Sequence, residues 1–159
     1  MSATLVVDAS VGCKWLLPED GSDDARRLLA AWTAGRAVVM VPDVYPVEVA
    51  NMVWKKHALM DQITATEAEA ALSELYATLP RLVSSQPFVA HAWHLSVAMQ
   101  TPVYDTLYLA VALAYAPATL VTEDRRLERR AGRLFPGVVR KPSDVVKDIA
   151  ATSETVEEE

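Results

Sequence analysis

Residues 101–127 read TPVYDTLYLAVALAYAPATLVTEDRRL, and this stretch decides the fold. Asp105 stands where an apolar-rich segment begins, and Leu107, Leu109, Val111 and Leu113 give that segment the length and content of a buried helix. Pro117 stops it, because proline lacks the amide hydrogen that a helix interior needs. Residues 118–122 are a short run of strand formers that leads to Asp124. One helix-strand unit thus carries a carboxylate at its helix start and another at its strand end. Working outward, Leu5, Val6 and Val7 form a second apolar run that stops at Asp8. If these two runs are neighbouring parallel strands, Asp8 and Asp124 meet at the carboxyl edge of the sheet, where open α/β folds place their ligands. The two acids would then share one pocket.

The rest of the chain alternates strand and helix signals, without an internal repeat or a long linker, as an α/β layer fold requires. A short helix is expected over 11–17, closed by Pro18, and a second over 24–34, capped by Ser22 or Asp23 and ended by Gly35. Residues 37–41 form the next strand. Pro42 and Asp43 lead into a helix over 45–59 on which Glu48, Asn51 and Lys55 are spaced i, i+3, i+7, while Val49, Val53 and Trp54 point elsewhere. That polar stripe faces one direction; it could line a pocket, although solvation is the simpler reading of spacing alone. The sequence TATEAE at 64–69 offers two overlapping capping boxes for a helix that buries Ala68, Leu72, Leu75, Tyr76 and Leu79. A short strand over 81–83 and a helix over 87–99, with Phe88, Ala92, Leu95 and Met99 inward, complete this half. His91 and His94 lie on that helix without a nearby acid, and read as surface or partly packed rather than ligating. His57, beside two lysines, reads as part of a solvated basic end. After Asp124 come a basic helix over 126–133, an edge strand over 137–139 and a last helix over 142–149, capped by Ser143. The domain is therefore bounded at 1–149, and residues 150–159 are expected to be a disordered acidic tail.

Composition limits what the pocket could be for. The chain has 159 residues, 52% of them hydrophobic, enough for one core. Its first apolar run breaks at Asp8, too soon for a signal peptide, and no window is long enough to span a bilayer, so a cytoplasmic protein is expected. The lone Cys13 excludes an intramolecular disulfide framework and a cysteine-based zinc site, and reads as a small buried hydrophobe. The net charge of -6 argues at first against a nucleic-acid partner. Its distribution weakens the objection: the tail holds Glu154, Glu157, Glu158 and Glu159, whereas Arg125, Arg126, Arg129, Arg130, Arg133, Arg140 and Lys141 concentrate seven of the 15 bases within 17 residues. A basic segment adjoins the acidic pocket.

Taken singly, Asp8, Glu48, Asp105 and Asp124 could each be a cap, a loop opener or a surface acid. Taken jointly they point elsewhere, because two end strands on one sheet edge and two lie on helices that pass over it. Clustered carboxylates raise one another's pKa, and a divalent cation removes that conflict. Oxygen ligands without cysteine favour Mg²⁺ or Mn²⁺ over Zn²⁺.

The segments VVDASVGCKWLLPE, PVEVANMVWK and PVYDTLYLAVALAYAPATLVTEDRRL resemble those of the PIN-domain nucleases, and among them the VapC-like toxins of toxin-antitoxin pairs. The resemblance implies a single PIN domain, with a central parallel sheet flanked by helices on both faces. It implies that Asp8, Glu48, Asp105 and Asp124 are the acidic quartet of a Mg²⁺- or Mn²⁺-dependent endoribonuclease. Asp8, Asp105 and Asp124 would bind metal directly, and Glu48 would either bind it through water or orient the attacking water, supported by Ser10, Asn51 and Thr122. The family's Thr-x-Asp spacing favours Asp124 over the adjacent Glu123. Cleavage would use water activated by the metal and leave a 5′-phosphate and a 3′-hydroxyl. Lys14, Lys55 and Arg126 are candidates for phosphate contact, with solvation the simpler reading of each. The same resemblance implies a homodimer and a cognate VapB-like antitoxin whose peptide covers the pocket. Three rivals stand beside this reading. They are a structure-specific DNA nuclease, a receiver domain, for which the required adjacent acids and late lysine are lacking, and a non-catalytic metal-binding docking module.

Overall fold

The computed structural model describes residues 2–157 of the chain. Five parallel strands, β1 (Ala3–Val7), β2 (Ala37–Pro42), β3 (Arg81–Val83), β4 (Thr119–Val121) and β5 (Val139–Arg140), form one sheet in the order β3-β2-β1-β4-β5. Eight α-helices flank it: α1 (Ala9–Leu16), α2 (Ser22–Thr33), α3 (Tyr45–Trp54), α4 (Ala65–Ala77), α5 (Val89–Met99), α6 (Val103–Ala114), α7 (Arg125–Leu134) and α8 (Pro142–Glu157). The chain builds β1, β2 and β3 outward in one direction, then returns to add β4 and β5 on the other side of β1. The order reverses between β1 and β4, and at such a switch point the loops at the carboxyl ends diverge and open a crevice.

The β1–β4 pairing follows from the sequence pattern. Leu5, Val6 and Val7 are buried and pair with Thr119, Leu120 and Val121. A strand buried on both faces reads as a continuous apolar run, which is why neither run alternates. The Asp8 amide extends the ladder by donating to the Val121 carbonyl at 3.1 Å, so both chains leave the sheet at the same level. Helix α6 crosses β1, β2 and β4 and packs along α5. It is buried from Thr106 through Ala112, as the apolar content of 107–113 predicts.

Several details differ from expectation, each for a local reason. Helix α1 begins at Ala9, because Asp8 itself caps it. Helix α2 is capped by neither Ser22 nor Asp23: Gly21, at φ 82°, occupies the cap position. Ser22 instead turns its hydroxyl to the Leu17 carbonyl at 3.0 Å. Helix α3 continues as a π-helical turn, Lys55–Leu59, instead of an unbroken α-helix. Of the two possible capping boxes, the one formed by Thr64 and Glu67 is made. Tyr76 is 72% exposed rather than inward, since its neighbour Leu75 holds the buried position. Pro142 starts α8, placing Ser143 inside its first turn, and the helix runs on past Ile149 to Glu157. Residues 158 and 159, the end of the expected tail, lie outside the described residues.

Candidate active site

Four elements deliver the site. Asp8 sits between β1 and α1, where its carboxylate is the side-chain cap of α1: Oδ1 accepts from the Ser10 amide at 2.9 Å and the Val11 amide at 3.3 Å. The Ser10 hydroxyl also donates to Oδ1, and the Thr122 hydroxyl, from the end of β4, donates to Oδ2. Both hydroxyls hold the opposite loop as well. Ser10 Oγ accepts from the Glu123 amide at 3.3 Å and Thr122 Oγ1 from the Asp124 amide at 3.0 Å. Asp8 is thereby locked in rotation, and the two strand ends are tied together through it. Burial raises its pKa more than these four donors lower it.

Asp124 caps α7 as Asp8 caps α1, its Oδ1 accepting from the Arg126 and Leu127 amides at 2.7 and 3.0 Å. Asp105 lies in the first turn of α6. Its carboxyl is pushed up to about 6, first by desolvation and then by the negative charges of Asp124 and Asp8. Glu48, in the first turn of α3, is also raised by burial and by the charges of Asp8 and Asp105, against the opposing effect of the Tyr108 hydroxyl that donates to it. Burial is the first cause of both shifts, and the smaller part due to neighbouring charge shows carboxylates from distant parts of the chain acting on one another.

A cleft of about 240 Å³ is lined by Asp8, Ser10, Glu48, Asn51, Lys55, Asp105 and Tyr108, among others. The stripe on α3 therefore borders the cleft, while Asn51 and Lys55 also remain exposed to solvent, as the spacing alone suggested. Tyr108 escaped sequence reading; the signal that could have found it is its i+3 spacing from Asp105, which puts both on one face of α6. Asp124 is not among the residues lining the cleft, but its amide is tied to Thr122 Oγ1, the partner of Asp8, and its charge reaches Asp105. Burial raises the pKa of Glu123, against the opposing charge of nearby Lys14. Lys14 itself donates to the Asp20 carbonyl, away from the cleft lining. Arg126 is exposed on the first turn of α7. His91 and His94 are exposed on α5, and Cys13 is buried, which raises its thiol to about 11 and keeps it protonated at neutral pH.

Among the described residues, no group of three or more Asp, Glu, His or Cys side chains is placed to hold a metal ion. In donor chemistry the cleft nonetheless suits a hard divalent cation: its carboxylates offer only oxygen, and, after burial, the charges of Asp8 and Asp105 raise Glu48 and those of Asp124 and Asp8 raise Asp105. A cation there would offset the repulsion that lifts Asp105 and Glu48. Among the described residues, no helix is long and apolar enough to cross a membrane.

The model of the PIN domain family matches residues 5–133. The fold is similar to that in the crystal structure of PAE2754 from Pyrobaculum aerophilum, with a TM-score of 0.68 and 20% identity over 94% of this chain and 90% of that one. At that identity the likeness is one of fold. No curated protein matches the chain. PIN domains are nuclease folds and in general metal-dependent hydrolases.

Proposed function

This chain belongs to the PIN domain family, and from that premise we propose that it is a Mg²⁺- or Mn²⁺-dependent endoribonuclease acting in the cytoplasm as the toxin of a toxin-antitoxin pair. The observation that carries the nuclease reading is the meeting of Asp8, Glu48 and Asp105 in one cleft at the β1/β4 switch point, with Asp124 beside it.

Asp8, Asp105 and Asp124 would hold the cation. When bound, it supplies a water of lowered pKa and a counter-charge for phosphate. Ser10 and Thr122 keep both oxygens of Asp8 in place, so little reorganisation is needed when a ligand arrives. Glu48, steadied by the Tyr108 hydroxyl, would orient the attacking water and accept its proton. Asn51 and Lys55 offer an amide and an ammonium to the phosphate from the α3 side of the cleft. Arg126 can reach phosphate from the α7 side. The products would be a 5′-phosphate and a 3′-hydroxyl.

An acidic cleft of this kind also suits an arginine from a protein inhibitor, since a guanidinium can replace the charge of the cation. That supports a cognate VapB-like antitoxin as partner, with the toxin acting as a homodimer. Incubation of purified protein with single-stranded RNA and with flap DNA tests the proposal. RNA cleavage that stops with EDTA and returns with Mg²⁺ or Mn²⁺ is expected. Cleavage of flap DNA alone would assign a DNA nuclease, and metal binding without any cleavage would assign a docking module.

A further inference from the structure

Helix α7 carries Arg125, Arg126, Arg129, Arg130 and Arg133 on one continuous arc of about 140°, at 100° per residue. Leu127 and Ala131 lie outside that arc and are buried. This arrangement works against the helix. Arg125/Arg129, Arg126/Arg130 and Arg129/Arg133 are like charges at i, i+4, and the first two arginines sit at the positive end of the helix dipole. Among the described residues, none of Arg125, Arg126, Arg129 or Arg133 is in an ion pair, and all four are exposed. Folding therefore does not explain why a chain of net charge -6 gathers them on one helix.

Their position does suggest a reason. The cap of α7 is Asp124, whose amide donates to Thr122 Oγ1 at 3.0 Å while that hydroxyl donates to Asp8, so the arc starts beside the acidic cleft and runs for about 15 Å. At its far end Arg130 is anchored, donating to the Gln100 carbonyl and, at 3.2 Å, to Thr101 Oγ1. There Arg130 and Arg133 line a recess of about 300 Å³ with Met99, Gln100 and Leu134. A line of unpaired guanidinium groups ending in a recess with apolar and guanidinium walls matches single-stranded nucleic acid, in charge along the backbone and in stacking for a base.

We propose that the arginine arc of α7 is the track that holds the backbone of single-stranded RNA flanking the cut site, with the Arg130/Arg133 recess receiving an unpaired base. The proposal rests on the ribonuclease reading of the cleft and adds a substrate-binding surface to it.

The test uses the full-length chain carrying Asp8→Asn, so that RNA is bound without being cut. Binding of short fluorescent single-stranded RNAs of several sequences is followed by anisotropy across a salt series. The Arg129→Gln/Arg133→Gln variant is expected to bind about 10-fold more weakly on every sequence, and to lower the slope of log K against log salt by about 1.4, near 0.7 for each lost contact. The Arg26→Gln/Arg27→Gln variant removes the same charge from α2 and should change neither. Melting temperatures of the α7 variant should equal or exceed those of its parent, because like-charge repulsion is removed. RNA binding by the parent that is undiminished in the α7 variant, or equally weakened in the α2 control, would overturn the track and leave the ribonuclease reading standing. Absence of RNA binding by the parent itself would overturn that reading and the track with it.

Discussion

Asp105 is the residue at which the conflict between folding and function is plainest. Its carboxyl is held at about 6 instead of 3.8 by burial and by the charges of Asp124 and Asp8. A raised carboxyl pKa adds stability that is full below the unfolded value and is lost as pH rises through the folded one. In metal-free protein, this contribution should fade between about pH 4 and pH 6. Asp105→Asn should therefore be more stable than the parent at pH 7, by about 1 kcal/mol after allowance for solvent screening, and the gap should close by pH 4. Urea unfolding at the two pH values checks this; equal stabilities at pH 7 would mean that Asp105 feels no uncompensated charge. Tyr108 gives the complementary case. Tyr108→Phe leaves the ring in place and removes the hydroxyl that holds Glu48, so it should lower kcat about 10-fold with little change in KM, as loss of a positioning contact does. Steady-state cleavage of one RNA substrate checks this, and circular dichroism of the same sample separates it from a loss of folded protein. An unchanged kcat would mean that the hydroxyl does not position Glu48.

At the scale of elements, α1 and α3 meet through a close approach that only glycine permits. A Cβ on Gly12 would stand 2.1 Å from the hydroxyl oxygen of Tyr45, the buried aromatic at the start of α3. Gly12→Ala must push α3 away from α1, and should cost about 1–3 kcal/mol in chemical denaturation, as overpacking does. Because Asp8 caps α1 and α3 carries Glu48, the same shift should weaken cleavage. Element-level reading also shows where sequence patterns carry information. Residues 5–7 were legible as a buried strand because an unbroken apolar run leading to an acid suits a strand covered on both faces, and residues 118–122 were legible as a strand because they are a run of strand formers between Pro117 and Asp124. The orientation of Glu48, Asn51 and Lys55 was not: i, i+3, i+7 spacing fixes a shared face, but only the packing of α6 shows that the face borders a cleft. Tyr108 was hidden for the same reason, since its partner lies 60 residues away. Tyr76 misled because it adjoins Leu75 on α4, and helical periodicity is too coarse to choose between neighbours at the edge of an apolar stripe.

Across the whole molecule, the strand order explains how residues 8, 48, 105 and 124 become one site. Reversal between β1 and β4 opens the crevice, α6 brings Asp105 and Tyr108 over it, and α3 closes the side with Glu48. The central parallel sheet was legible from the alternation of elements and the family resemblance, whereas the strand order was not, because nothing in the sequence says on which side of β1 each later strand is added. Nor were the exact ends of the helices, because caps depend on which neighbouring group takes the free amides, as at Asp8 and Gly21. The central claim is that carboxylates gathered at the switch point form a seat for a divalent cation. Calorimetric titration of Mn²⁺ into the purified protein and into Asp105→Asn tests it most directly. The parent should bind, and the variant should bind at least about 10-fold more weakly while retaining its fold. Equal affinity in the two proteins, or no binding to either, would contradict the claim.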